Sequence, residues 1–290
     1  MLTLLGSNVE RRERGSIALA LRPGSDDWYL VEHAATWATW LNVRLDLFTV
    51  VECPGQSSGG VDFSVTEMWW HSRLRAETRG WLTRILHSIP PHIRGRCDVL
   101  IGTPGAAILE HAKTHALLLL GRGRSRGIRR VVQGSVVERV IRATGVPTMV
   151  VGGRRPQTNL TIHLPIKVID PRLEAAKWVA SNLPGATVTA VHAISGAVHM
   201  QRNTATSTAA EVLDSVVSPA LPGAARTVLV DPAERSIAEI IGREAQRTGV
   251  DLVAIPRSNR RVPAQWLFGS VTRSLIRDSL CSVLVVPSSP

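Results

Sequence analysis

Residues 117–151, LLLLGRGRSRGIRRVVQGSVVERVIRATGVPTMVV, carry the strongest fold signal in the chain. The apolar run at 117–120 predicts a buried strand, and a loop rich in glycine and arginine follows it. Gly134-Ser135 then opens an amphipathic helix, and Thr148–Val151 predicts another buried strand. This order indicates an anion site, because N–H groups at a helix N-terminus are unpaired and the helix dipole favours negative charge.

The same layout recurs in residues 252–286, LVAIPRSNRRVPAQWLFGSVTRSLIRDSLCSVLVV. The Gly-Ser-Val sequence at 134–136 returns at 269–271, which is 135 positions later. The closing apolar strand at 148–151 returns at 283–286 with the same offset. The chain is therefore two copies of one unit.

Strand and helix signals alternate through both copies. In the first copy we predict strands at 16–21, 43–51, 96–101, 117–120 and 148–151, with helices from about Asp26, at 67–87, from Gly105 to His115 and from Gly134. In the second we predict strands at 160–166, 187–194, 227–230 and 283–286, and helices at 171–181, 209–217 and 233–247, with a polar stretch at 195–208. Such alternation implies parallel sheets covered on both faces.

The predicted fold is therefore α/β, with two tandem, open, Rossmann-like parallel-sheet domains. We place the first domain at 1–152, a linker at 153–159 and the second domain at 160–290. A length of 290 residues suits two domains, and an apolar content of 44% supplies their cores.

Several classes of protein are disfavoured by composition. No apolar run reaches membrane-spanning length, and Met1–Leu5 is followed at once by charged residues, which argues against a cleavable signal. Three scattered cysteines fit a reducing compartment and exclude a disulfide framework. We expect a cytoplasmic protein.

The net charge of +11 comes almost entirely from arginine. It is compatible with an anionic partner such as a nucleotide, nucleic acid or acidic protein, but the spread of the arginines along the chain favours a solvated basic surface. One cluster of arginines stands out because all its members lie in the first glycine loop: Arg122, Arg124, Arg126, Arg129 and Arg130. That loop lacks interleaved aromatic residues, so nucleic-acid binding is the least favoured interpretation.

No catalytic or metal-binding pattern emerges, and we expect no enzyme. The nine histidines lack metal-ligand spacing, and His111 and His115 are expected to form a partly buried or surface pair. Ser135 has no neighbouring base and is expected to cap its helix. The eight tryptophans lie mostly at helical spacing, which predicts core or interface packing.

The two units resemble the universal stress protein family in both halves. The resemblance rests on Ala- and Trp-rich first helices at 34–38 and 175–180, a Gly-x-Pro turn at 102–104, the Gly-Ser-Val helix starts and the terminal apolar strands. It implies a tandem, two-domain member of that family.

ATP-binding members carry Gly-x2-Gly-x9-Gly-Ser/Thr after the fourth strand. By this resemblance, Gly121 takes the first position, Arg124 replaces the second glycine, and Gly123 is one residue out of register. The family also ends its first strand in an aspartate that holds the nucleoside, where this chain has Arg22 or Pro23.

The resemblance assigns a first nucleotide site to Arg22, Val50, Leu120, Gly121, Arg122, Arg124, Gly134, Ser135 and Val136. The second copy departs further, with Pro256 at the first position of the loop. Its weaker counterparts are Lys167, Asn259, Gly269, Ser270 and Val271.

The function implied is a cytoplasmic stress-response regulator that binds ATP or another adenine nucleotide in its first domain, or a partner protein. The alternative is an interaction module whose nucleotide sites have decayed. The apolar strands at 148–151 and 283–286 need partners, and the resemblance implies that they pair antiparallel in an internal pseudo-dimer. Trp69 and Trp70 point about 100° apart on a helix, so we also expect self-association into a homo-oligomer.

Overall fold

The computed structural model describes residues 15–52, 65–122, 136–152, 155–156, 159–168, 171–195, 202–231, 235–257 and 269–288, with the backbone alone for 65–71 and 202–205. The chain divides into two compact units, Met1–Val146 and Pro147–Pro290.

The first unit is a parallel α/β sheet. Its strands are β1 (Ser16–Leu21), β2 (Arg44–Val51), β3 (Arg94–Ile101) and β4 (Leu117–Gly121). Its helices are α1 (Trp28–Leu41), α2 (Val65–Ser88), α3 (Pro104–Ala112) and α4 (Val136–Ala143). The strands lie in the order β3-β2-β1-β4, and each neighbouring pair is parallel.

The second unit repeats this pattern. Its strands are β5 (Thr148–Val151), β6 (Thr161–Pro165), β7 (Thr187–Ser195), β8 (Ala225–Asp231), β9 (Leu252–Pro256) and β10 (Ser282–Val286). Its helices are α5 (Glu174–Asn182), α6 (Arg202–Val217), α7 (Ile237–Thr248) and α8 (Ser270–Asp278). The order is β5-β10-β9-β6-β7-β8. Among the strand pairs that the structure describes in this unit, β5 and β10 run antiparallel, with Met149 opposite Leu284, which confirms the predicted pairing of the two apolar strands.

The two faces of the first sheet are covered by different helices. Ala18, Phe48 and Leu120 point to one face and pack against α3 and α4 in a single apolar cluster. Because side chains alternate along a strand, Gly121 faces the other side, where Leu30 of α1 lies against it. The predicted α/β fold with parallel sheets covered on both faces is confirmed.

Several helix boundaries differ from the sequence-based prediction, among them those of α1, α3, α6 and α7. Helix α1 begins at Trp28, two residues later than predicted, and α3 ends at Ala112 before His115. Helix α6 already begins at Arg202, inside the stretch predicted to be a polar connection. Helix α7 begins at Ile237 rather than Ala233, because Ser236 and Glu239 form a capping box there.

Candidate functional site

The strand order of the first unit reverses between β1 and β4. From β1 the chain moves to β2 and β3 on one side, and β4 returns on the other side of β1. In open α/β sheets, ligands bind outside the carboxyl ends of the strands at such a reversal. Leu21 and Gly121 are the last residues of the two strands, so the candidate site lies beside them.

Arg22 directly follows β1 and shapes the turn into α1. Its Nη2 donates a hydrogen bond to Oδ2 of Asp27 at 3.2 Å, and the arginine side chain remains 61% exposed. Asp27 occupies the N-cap position of α1, yet its side chain makes no capping bond because its carboxylate faces Arg22. A carboxylate therefore lies at this edge of the sheet, but it belongs to the turn and is paired with a cation.

Gly121 ends β4, and its lack of a side chain has a packing reason. A Cβ placed on it would lie 2.5 Å from Cδ1 of Leu30, which is itself buried. The glycine thus lets the first turn of α1 pack against the end of β4. Arg122 follows as a half-buried residue.

Three further residues of the predicted site belong to the apolar core. Val50 and Leu120 are buried in the cluster beneath α3 and α4, and Val136 packs against the same cluster as the first residue of α4. Their side chains therefore pack between the sheet and helices α3 and α4. Arg124, Gly134 and Ser135 lie outside the described residues.

The second unit has the corresponding reversal between β6 and β9. Lys167 is exposed just beyond β6, while Gly269 is the N-cap of α8 and Ser270 its first residue. Val271 is half-buried in that helix, and Asn259 lies outside the described residues.

Sequence reasoning missed Arg257, the first residue after β9. Its backbone N–H donates to the carbonyl of Val286 at 2.7 Å, and burial lowers the pKa of its guanidinium. The only signal in the sequence is a cation placed directly after an apolar strand. The structure thereby adds a partly buried positive charge at the carboxyl edge of the second sheet.

A second polar cluster lies at the opposite, amino edge of the first sheet. Asp46 of β2 accepts hydrogen bonds from Ser16 Oγ at 2.8 Å, from the backbone N–H of Arg96 at 2.7 Å and from His115 Nε2 at 3.2 Å. The ring of His111 lies 4.9 Å from that of His115. The two histidines are both packed, as expected of a partly buried pair, but they are held by carboxylates that the sequence did not indicate.

Neither a metal site nor a membrane span is found in the part of the chain that the structure describes. Within those ranges no three histidine, cysteine, aspartate or glutamate side chains are grouped so that they could hold a metal ion. Of the helices described, none combines the length and apolar character needed to cross a bilayer.

The comparisons with known proteins agree with this architecture. The model of the universal stress protein family matches residues 14–152 and 169–287. The chain belongs to the universal stress protein family. Its two matched segments make it a tandem member, as the sequence predicted.

Solved structures resemble this universal stress protein over nearly its whole length. A universal stress protein from Archaeoglobus fulgidus DSM 4304 is similar with a TM-score of 0.65 at 14% identity, covering 94% of this chain and 96% of that one. A functionally unknown protein from Pseudomonas aeruginosa PAO1 gives a TM-score of 0.61 at 15% identity, covering 96% and 94%. At these identities the likeness shows the fold alone. Comparison with curated proteins finds no significant match.

Proposed function

We propose that this universal stress protein is a non-enzymatic, cytoplasmic regulator that binds an adenine nucleotide or a related phosphate ligand in its first domain. The observation that carries the proposal is the reversal of strand order between β1 and β4, with Arg22 beyond one strand and Gly121 at the end of the other. The residues that the family resemblance assigns to phosphate binding follow β4 directly in sequence.

The charges at this edge favour phosphate over nucleoside recognition. Where the family carries its acidic nucleoside anchor this chain has Arg22 or Pro23, and the ion pair of Arg22 with Asp27 is exposed on the arginine side. Exposed ion pairs contribute little, so a phosphate can compete for that guanidinium. Arginine can bind two phosphate oxygens at once, and Arg122 and Arg124 supply further guanidinium groups after β4. We therefore propose a ligand held mainly by its phosphates, with weak selectivity between bases.

Release of any co-purified ligand tests this proposal first. The purified protein is denatured, and the supernatant is analysed by mass spectrometry for nucleotides. The nucleotide-free protein is then titrated calorimetrically with ATP, GTP and pyrophosphate at low and high salt. Similar affinities for ATP and GTP that weaken with salt support the proposal. A strong preference for ATP that salt leaves unchanged contradicts weak base selectivity.

Arg22→Gln and Arg44→Gln make a matched pair for these titrations. Both arginines are exposed, but Arg22 follows β1 at the carboxyl edge while Arg44 begins β2 at the amino edge. Loss of an arginine–phosphate contact should weaken binding about tenfold or more in Arg22→Gln. Arg44→Gln should bind like the wild type.

The second domain is proposed as the weaker site. Ser270 opens α8 as the family pattern requires, and Lys167 is exposed beyond β6. However, Pro256 ends β9 where ATP-binding members carry glycine, and a proline offers no N–H to a phosphate. We propose that this domain contributes mainly to regulation through protein partners.

The alternative is an interaction module with decayed sites. It is favoured by the contact of Leu30 with Gly121, since packing alone accounts for that glycine. This alternative would be supported if the wild type binds no nucleotide and the Arg124→Gly variant, which restores the family's glycine, binds none either.

A further inference from the structure

A histidine is buried between the second sheet and helix α7. His163 lies in the middle of β6, and its exposed fraction is 4%. Its partners in the neighbouring strands are Thr189 of β7 and Val253 of β9, and neither carries a charge. A buried imidazole is stable in such a place as a neutral ring, and each of its two nitrogens needs a hydrogen-bond partner or remains unsatisfied.

The hydrogen bonds around the ring place its single proton on Nε2. Oγ1 of Thr248, the last residue of α7, lies 3.4 Å from that nitrogen. The same hydroxyl donates its hydrogen to the carbonyl of Glu244 at 2.7 Å, so it accepts from the ring. Nδ1 therefore keeps a lone pair, and it is buried without a hydrogen-bond partner among the described residues. A proton added to Nδ1 would find no acceptor there.

The charged groups of α7 do not offset a positive charge on this ring. Glu244 and Arg247 both act on His163, but they are joined to each other by two hydrogen bonds of 2.7 and 2.8 Å. Burial lowers the pKa of His163, the charge of Glu244 raises it and the charge of Arg247 lowers it. Burial dominates, so the pKa lies below its ordinary value of 6.5.

The other described elements on this side of the sheet do not supply an acceptor either. Helix α8 packs beside α7, and its charged residues are exposed: Arg273, Arg277 and Asp278. Asp251, just before β9, is buried, and its Oδ2 accepts hydrogen bonds from the backbone and the hydroxyl of Thr161, each at 2.9 Å. The surroundings of His163 therefore favour the neutral ring.

We propose that His163 is an acid-responsive element of the second domain, and that protonation of its Nδ1 releases α7 from the sheet. Protonation would place a charge and an N–H without an acceptor in a buried position, which destabilises the closed arrangement. β6 is paired on both sides with β7 and β9, whereas α7 is a single helix of 12 residues, so the helix moves away more readily. Its release uncovers an apolar face that includes Ile240 and Ile241.

The direction of the pH dependence follows from the burial of the ring. In the open form His163 takes up a proton near its ordinary pKa of 6.5, and in the closed form it does so only at lower pH. The stability of the closed form is therefore complete above pH 6.5 and decreases as the pH falls below that value. Each pH unit in this range should favour opening by up to about tenfold.

Hydrogen exchange followed by mass spectrometry measures the opening of α7 in the full chain between pH 5 and 8. Rates are corrected for the intrinsic pH dependence of exchange, and peptides covering 237–250 are compared with peptides covering β10. The variants are His163→Leu, which cannot titrate, and His192→Asn. His192 is the matched control, because it lies half-buried in β7 with its Nδ1 donating to the carbonyl of Ile166 at 2.9 Å, a bond that an asparagine amide can replace.

The wild type and His192→Asn should open α7 more as the pH falls below 6.5, while β10 stays protected. His163→Leu should show the same protection of α7 at every pH. An acid response in folded His163→Leu equal to that of the wild type overturns the proposal. Equal acceleration in the peptides of β10 also overturns it, because the opening is then global.

Nuclear magnetic resonance of the wild type labelled at histidine gives a readout that does not depend on the folding of a variant. The ring of His163 should remain neutral in the closed form at pH 6.5 and gain its proton only together with the opening of α7. A ring that is protonated with a midpoint at or above pH 6.5 while α7 stays protected overturns the proposal.

Discussion

Asp46 shows how a single buried carboxylate ties the first domain together at the residue scale. Its oxygens accept hydrogen bonds from Ser16 of β1, from the backbone of Arg96 in β3 and from His115 after α3. Burial raises the pKa of Asp46, but the hydrogen bonds from His115, Arg96 and Ser16 outweigh that effect and hold the pKa below its usual value. The carboxylate is therefore ionised throughout the neutral range and joins β1, β2, β3 and the start of β4.

The two histidines beside Asp46 respond to pH in opposite directions. Burial lowers the pKa of His115, but its hydrogen bond to Asp46 and the nearby carboxylate charges outweigh burial and raise the pKa overall. Burial lowers the pKa of His111, helped by the charge of His115 and opposed by Asp98 and Asp46. Protonation of His115 therefore strengthens its contact with Asp46, whereas the lowered pKa of His111 means that this ring gains its proton at a lower pH than His115 does.

We predict that His115→Ala destabilises the protein more below pH 6.5 than at pH 9. A raised folded-state pKa means that the stability from protonated His115 is complete below the unfolded value of 6.5 and is lost as pH rises through the folded value. Loss of a hydrogen bond to a charged group should cost about 1.5–3 kcal/mol on the acid side. Urea unfolding across this pH range measures the difference. His87→Ala, at an exposed position on α2, is the control, and a cost for His115→Ala that is independent of pH would refute the assignment.

At the scale of elements, apolar strands were predicted well and helix starts were not. Strands β5 and β10 are wholly buried and β1 and β4 mostly so, and a sequence displays such apolar runs directly. Helix α6 begins among serines and threonines that favour loops, yet Ala209, Leu213 and Val217 form a buried stripe at four-residue spacing. Packing against the sheet therefore decides that helix, and local sequence alone does not.

The close approach of the two backbones at one end of the antiparallel pair β5–β10 requires a glycine at position 152. A Cβ on this residue would overlap the carbonyl carbon of Cys281 and lie 2.6 Å from the backbone nitrogen of Ser282. We predict that Gly152→Ala lowers the free energy of unfolding by about 1–3 kcal/mol, because a rigid backbone cannot move aside. Gly145→Ala is the matched control, since a Cβ there meets nothing within 4 Å. Equal costs for the two variants in denaturant unfolding would show that the close approach is absent.

The capping box of α7 gives a second prediction at this scale. Ser236 Oγ accepts the backbone N–H of Glu239 at 3.3 Å, and the Glu239 carboxylate accepts the backbone N–H of Ser236 at 3.0 Å. Ser236→Ala should cost about 1 kcal/mol in thermal or urea unfolding. Thr103→Ala provides the comparison, because Thr103 is the N-cap of α3 without a side-chain capping bond. A loss in Thr103→Ala as large as that in Ser236→Ala would contradict this role for the hydroxyl of Ser236.

For the whole molecule, the repeated Gly-Ser-Val starts and apolar strands were sufficient to predict two α/β units and the pairing of β5 with β10. The candidate site was only partly predictable. Gly121 stands out in the sequence, but its neighbour Leu30 is 91 positions away and joins it only through the packing of α1. Arg257 escaped prediction for the same reason, since only the folded chain brings it beside the end of β10.

We also predict that the whole protein self-associates. The sequence places Trp69 and Trp70 at adjacent positions of α2, where their directions differ by about 100°, so the two side chains, which lie outside the described residues, do not easily face one core. Sedimentation velocity should show a species larger than the 31.4 kDa monomer that increases with concentration. Trp69→Ser and Trp70→Ser should reduce it, while Trp178→Ser in α5 should not. A 31.4 kDa monomer at every concentration would refute the prediction.

Photolabelling with an azido-purine nucleotide, followed by peptide mapping, asks which domain holds the nucleotide. If the first domain binds it, saturable labelling that excess ATP abolishes should fall on peptides from residues 16–52 or 117–151. Arg22→Gln, at the carboxyl edge of the first sheet, should reduce that labelling, and Arg44→Gln, at the amino edge, should not. Labelling that ATP does not compete, or that falls only within residues 160–290, would contradict a nucleotide site in the first domain.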